Sequence, residues 1–149
     1  MRRWTPDNWL KEKTMFRKLD DSISVAGQIS LDDIADAAAQ GFTFIINNRP
    51  DGEQPGQLSA AEIGAAAKAA GLRYAEIPIT HAGFREDQVA AMTDALAGAG
   101  GPVLAFCRSG TRSTFVWALA RARMGDEPAE LAAKAANAGY DISPIMAAL

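Results

Sequence analysis

Residues 102–120 read PVLAFCRSGTRSTFVWALA. The first six, PVLAFC, form an apolar run suited to a strand buried on both faces of a parallel sheet. From about Thr111 or Arg112 the chain carries no breaker until Gly125, so the stretch to Met124 reads as a helix. A buried strand that passes into a helix across a short polar loop is one half of a β-α unit. Cys107, the only cysteine of the chain, stands at that turn.

The same alternation extends in both directions. SISVAGQ (22–28) leans towards β structure. Ser30 then opens a helix with Asp33 three residues on, a capping-box variant, and Gly41 stops it. Leu31, Ile34, Ala35 and Ala38 share one face of that helix. FTFIIN (42–47) is a second buried-strand run, and NNRPDGEQPGQ after it is a loop of closely spaced Pro and Gly. A helix from Ser59 to Ala70 ends at Gly71, and LRYAEIPI (72–79) reads as a strand. THAGFRED leads into a helix with Val89, Met92 and Leu96 on one side, broken by GAGG before residue 102. After GDEP (125–128), a last Ala-rich helix runs to Gly139 and YDISPIMAAL closes the sequence. This order predicts an α/β fold of three layers, a mostly parallel central sheet flanked by helices on both faces. Ligands of such folds bind beyond the carboxyl ends of the strands, and Cys107 lies at one.

The 149 residues suit one domain with a substantial core, and 48% hydrophobic with 22% charged residues is ordinary for a globular chain. A net charge of -3 gives no footprint for nucleic acid. Residues 1–18, with Trp4 and Trp9, hold six basic groups against two acidic ones and read as an appended arm to a domain of residues 19–149. The arm could be a disordered leader, a cover for an apolar surface of this domain or of a second copy, or a contact for an anionic membrane surface. One cysteine and one histidine exclude an intrachain disulfide and a zinc or iron–sulfur site of the usual Cys/His kind, and no cofactor is expected. A lone thiol, no apolar run of membrane-spanning length and no secretory h-region make a cytoplasmic protein the simplest expectation.

At Cys107 three effects favour a thiolate: the unpaired N–H groups of the helix that follows, the positive end of its dipole, and the guanidiniums of Arg108 and Arg112. Gly110 lets the backbone turn its N–H groups inward into an anion-binding nest, and Ser109, Thr111 and Ser113 add hydroxyl donors. The arrangement is a charged nucleophile in a cradle that also holds an anion. A free cysteine buried as a small apolar residue is the alternative. Two arginines beside it have no packing purpose and count against that reading.

VAGQIS, FIINNRPDGEQPGQLSAAEI, YAEIPI and CRSGTRS, in this order, resemble the bacterial beta-lactamase hydrolase-like phosphatase or sulfurtransferase domain family over about residues 17–142. The resemblance implies a fold like that of protein tyrosine and dual-specificity phosphatases. Members stand alone or fused to metallo-beta-lactamase-like persulfide dioxygenases, which implies a link to sulfide and persulfide metabolism and a dioxygenase as partner.

The phosphatase signature is His-Cys-x5-Arg followed by Ser or Thr. Phe106 replaces the histidine here, and the loop is Cys-x4-Arg. CRSGTR instead matches the six-residue loop of rhodanese sulfurtransferases. The expected reaction is therefore sulfur transfer, with Cys107 carrying a persulfide from a small anionic sulfur donor to a thiol acceptor. The alternatives are a phosphatase with a phosphocysteine intermediate, and a non-catalytic module that senses anions or persulfides. Where dual-specificity phosphatases place an aspartate acid, the sequence reads THAG. His81 is a candidate there, and Asp87 suits the first turn of a helix. Arg49 either adds charge to the pocket or pairs with Asp51 or Glu53 to shape its loop. Ser113 could donate to the Cys107 sulfur, and Trp117 reads as core.

Overall fold

The computed structural model describes residues 14–149. Among them are five strands: β1 (Arg17–Asp20), β2 (Ile23–Ala26), β3 (Phe44–Asn47), β4 (Arg73–Glu76) and β5 (Val103–Phe106). Five α-helices alternate with or follow them: α1 (Leu31–Ala39), α2 (Ala60–Ala69), α3 (Glu86–Ala97), α4 (Thr111–Arg123) and α5 (Pro128–Asn137), with a 3-10 turn at Ser143–Ala148. The sheet order is β1-β2-β5-β3-β4, parallel throughout except for β1. The expected α/β architecture is observed.

Period-2 alternation along β5 assigns the two faces. Val103 and Ala105 pack with Val116, Trp117, Met92 and Leu131, on the side of α3, α4 and α5. Leu104 and Phe106 pack with Ile34, Ala37, Ile63 and Ala67, beneath α1 and α2. The middle strand is thus buried on both sides, which explains its unbroken apolar sequence. Trp117 is fully buried, as expected of core, and its Nε1 is the one buried side-chain polar atom without a hydrogen-bond partner among the described residues.

The arm expected over residues 1–18 overlaps β1, where Arg17 and Lys18 already pair with Val25 and Ser24. In β1, RKLD, Leu19 is the only buried residue. An edge strand that turns charged side chains to solvent leaves no apolar run to find. Phe16 of the arm packs edge-on against Phe42, ring centroids 5.8 Å apart, and the rest of the arm, residues 1–13, lies outside the described residues.

The register positions the site. Ala26, Phe106 and Asn47 stand abreast at the carboxyl ends of β2, β5 and β3. The three loops that follow therefore leave the sheet side by side. The Cys107 N–H donates to the Ala26 carbonyl at 3.3 Å, and the Asn48 N–H to the Phe106 carbonyl at 2.8 Å.

Candidate active site

Cys107 is completely buried at the head of the loop to α4. Helices α1 and α2 begin with full capping boxes, Ser30–Asp33 and Ser59–Glu62. Helix α4 begins instead at Gly110, which has no side chain to cap it and sits at φ +90°. Three successive loop carbonyls are held by donors outside the loop. The Arg108 carbonyl accepts from the Gln28 N–H at 3.3 Å, and the Ser109 carbonyl from the Tyr140 hydroxyl at 3.0 Å. The Gly110 carbonyl accepts from the Thr114 N–H and Oγ1 at 2.9 and 2.8 Å. In trans peptides the N–H points opposite the C=O, so the amides of residues 109–111 are turned the other way. The Gly110 N–H lies 3.1 Å from Cys107 Sγ. The Gly110 amide is thus aimed at the thiol.

The close fit behind the loop depends on Gly27. A Cβ there would come within 3.0 Å of the Arg108 carbonyl.

Arg112 is buried and engaged on its outer side. Its Nη1 and Nη2 each donate to the Glu53 carboxylate at 2.8 Å, and Nη1 also donates to the Ile79 carbonyl at 2.6 Å. Its pKa is raised above the ordinary value first by the Glu53 hydrogen bond, against the opposing effect of burial. The guanidinium thus ties the loop between β3 and α2 and the segment after β4 to the start of α4.

Glu53 was named in the sequence only as a partner for Arg49. It also receives Arg49 Nε at 2.9 Å, and its carboxyl is lowered from 4.5 to about 2, first by Arg112 and then, against the opposing effect of burial, by Arg49. The signal available in the sequence was an acid within a rigid Pro/Gly loop after a strand. Its partner Arg112 lies too far along the chain for that signal to reveal the pair.

Arg49 is a structural residue here. Besides Glu53 it donates to Gln28 Oε1 at 2.9 Å and to Gln54 Oε1 at 3.0 Å, and it is 3% exposed. Asp51 takes a different role, accepting from the Ala60 N–H at the start of α2. Ser113 is completely buried and donates to Asn48 Oδ1 at 2.8 Å, while Asn48 Nδ2 donates to the Ile77 carbonyl. Its hydroxyl proton therefore serves the β3–α4 junction and not the Cys107 sulfur, which corrects that expectation.

In front of the loop lies a cleft of about 250 Å³, lined on one side by Arg108, Ser109, Thr111 and Arg112. Thr80, His81, Gly83, Phe84 and Phe115 close the other. The Phe84 and Phe115 rings are 6.2 Å apart. His81 is largely exposed, with Nε2 4.0 Å from Glu53 Oε2. Asp87 is not part of the cleft. It lies in the first turn of α3, paired with Arg85 at 3.0 Å, which holds its carboxyl below the ordinary value. This is the first-turn placement that its sequence suits. A larger cleft of about 360 Å³, near Trp117 and Arg121, opens at the opposite end of β5 and contains no part of the Cys107 loop. Among the described residues no group of three or more His, Cys, Asp or Glu is placed to hold a metal, and no helix is long and apolar enough to cross a membrane.

The sheet with its Cys-containing loop between β5 and α4 defines a tyrosine/dual-specificity phosphatase-like fold. Pseudomonas aeruginosa TpbA, crystallised with phosphotyrosine, superposes with a TM-score of 0.62 at 15% identity over 87% of this chain and 78% of its own. A Neisseria meningitidis protein, described from its crystal structure as a candidate phosphatase, superposes with a TM-score of 0.78. It is 30% identical, over 89% of this chain and 94% of that one. The chain belongs to the family of the phosphatase-like domain of beta-lactamase hydrolase-like proteins, which it matches over residues 15–124. The Agrobacterium fabrum protein of that name is 39% identical over 108 residues, and its Xylella fastidiosa counterpart 37% over 101. These matches cover 72% and 68% of this chain. The chain spans about a quarter of the length of these curated relatives, 25% and 23% respectively. The matched descriptions are phosphatase-like and lend no support to rhodanese chemistry, so they favour the alternative reading of the loop over the sulfur-transfer one.

Proposed function

We propose that the chain is a cysteine-dependent phosphomonoester hydrolase. The observation that carries this reading is the loop in which carbonyls 108–110 are held outward, the Gly110 N–H meets Cys107 Sγ, and Arg108 and Arg112 line the cleft in front. A phosphoryl group seated there would meet inward amides and the guanidiniums of Arg108 and Arg112. Cys107 Sγ attacks phosphorus, an S–P bond forms, and the P–O bond to the leaving group breaks. The leaving oxygen needs a proton, and among the residues lining the cleft the His81 imidazole is the general-acid candidate. Water then attacks phosphorus, the S–P bond breaks, and inorganic phosphate and the thiolate are released. Phe84 and Phe115 at the mouth suit an aryl phosphate, and TpbA, whose fold is shared, binds phosphotyrosine.

Sulfur transfer is the second reading, and one observation favours it. The loop has four residues between Cys107 and Arg112, and the Gly110 amide closes to 3.1 Å on the sulfur. A ring this short suits a single sulfur atom better than three phosphoryl oxygens. In that case Cys107 attacks the outer sulfur of thiosulfate, releases sulfite, and passes the sulfur to a thiol. A dioxygenase partner and an intracellular setting belong to this reading.

Incubation with an aryl phosphate or with thiosulfate, followed by intact mass measurement, separates the two. Catalytic release of the phenol, lost in Cys107→Ser, supports the hydrolase. Stable gain of one sulfur atom (~32 Da) on Cys107 without phenol release supports the carrier and overturns the hydrolase.

A further inference from the structure

The loop that carries the proposed chemistry is fastened by a residue outside the segment matched by the family. Of the three outward carbonyls, those of Arg108 and Gly110 are held by Gln28 and Thr114. Among the described residues the Ser109 carbonyl is held by a side chain alone, that of Tyr140, at 3.0 Å. This carbonyl and the Gly110 N–H belong to one planar peptide unit, so fixing the first outward fixes the second inward. The inward partner is Cys107 Sγ at 3.1 Å.

Rotation of that peptide unit changes ψ of Ser109 and φ of Gly110. Glycine tolerates either sign of φ, so the local backbone does not itself prevent the flip. The Tyr140 hydroxyl also occupies the place of a side chain at residue 110, since a Cβ there would lie 2.2 Å from it.

Tyr140 is itself held in place. It follows α5, which is tied to the edge strand by Lys134–Asp20 at 3.2 Å and by Arg17 Nη1 to the Ala138 carbonyl at 3.3 Å. The Arg17 guanidinium also lies 6.0 Å from the Tyr140 ring centroid. Burial raises the phenol pKa; Arg17 opposes this and Cys107 reinforces it, so the hydroxyl keeps its proton and remains a donor.

We propose that Tyr140 is a positioning residue of the active-site loop: its hydroxyl holds the Ser109 carbonyl outward and thereby keeps the Gly110 N–H directed at the Cys107 sulfur. Its importance for catalysis rests on the reading of Cys107 as the nucleophile, whereas the hold on the peptide does not.

Tyr140→Phe keeps the ring and removes only the hydroxyl. Amide hydrogen exchange followed by NMR should show the Gly110 N–H exchanging about tenfold faster in the variant, with amides of β5 and the melting temperature unchanged. Tungstate affinity and the rate of Cys107 alkylation by iodoacetamide should each fall about tenfold. Unchanged Gly110 exchange overturns the proposal. A uniform rise in exchange across the domain with a lowered melting temperature also overturns it, because the hydroxyl would then serve general stability. Faster Gly110 exchange with unaltered tungstate binding and alkylation leaves the hold on the peptide standing and overturns the catalytic reading of the loop.

Discussion

Arg112 and Glu53, 59 residues apart in sequence, meet through two hydrogen bonds of 2.8 Å each. The bidentate pairing fixes the plane of the guanidinium as well as its position. Arg49 completes the arrangement from the other side of the same carboxylate. Glu53→Gln keeps the shape and removes the charge, leaving two buried guanidiniums without their anion. We expect a loss of about 3 kcal/mol in unfolding free energy, read by urea titration, and at least tenfold weaker oxyanion binding. Wild-type values for both would show that the pair is not what orients Arg112.

The same carboxylate sets an acid limb. Its folded-state pKa of about 2 lies below the ordinary 4.5. Between these values the unfolded chain binds the proton and the folded one does not, so stability rises with pH through this window. Glu53 contributes fully above about pH 4.5, and its contribution disappears as pH falls towards about 2. Unfolding free energy measured from pH 5 to 2 should drop less steeply in Glu53→Gln than in the wild type.

His81 is exposed at the cleft opposite the loop. If it protonates the leaving group, His81→Asn should slow turnover of phenyl phosphate by about 10²-fold while affecting a nitrophenyl ester much less, since nitrophenolate leaves without help. Equal slowing of both esters would assign His81 a role in binding instead.

Ser113 separates two readings of one hydroxyl. Its bond to Asn48 Oδ1 joins α4 to the loop after β3. Ser113→Ala should cost about 1–2 kcal/mol in stability, from the lost bond and the buried amide oxygen it leaves. The initial alkylation rate of Cys107 should stay within about twofold of wild type. A large fall in that rate at unchanged stability would return Ser113 to the sulfur.

Gly110 sits at φ +90° with the Tyr140 hydroxyl where a Cβ would stand. Gly110→Ala should lose about 1–2 kcal/mol to the left-handed backbone alone, and more to the contact. Combining it with Tyr140→Phe, which removes the obstructing oxygen, should recover part of the melting temperature of Gly110→Ala. No recovery would place the cost in the backbone and in the ring carbon that Tyr140→Phe retains, 2.9 Å from the same Cβ.

Much of this architecture was legible in the chain. The capping boxes at Ser30 and Ser59 marked where α1 and α2 begin, because those residues satisfy N–H groups only a few positions away. Doubly buried β3 and β5 announced themselves as apolar runs, and Asn47, their one polar residue, is buried with its amide donating to the Tyr74 hydroxyl. Strand β1 did not, since RKLD buries only Leu19 and owes its conformation to pairing with β2. Tyr140 looked like tail sequence because its partner, a backbone carbonyl at residue 109, has no side-chain signature.

The sequence by itself determined the order of strands and helices from β2 onward, the location of Cys107 at a strand end, and the glycine at the turn of its loop. These follow from local periodicity, capping and backbone freedom. Tertiary structure alone decided the partners: Glu53 for Arg112, Asn48 for Ser113, Tyr140 for the Ser109 carbonyl, and solvent with Arg85 for Asp87. Directed hydrogen bonds between distant segments depend on the parallel register of β2, β5 and β3, which brings their loops abreast. No local pattern encodes that register, and so none encoded which of the charged residues would face the thiol.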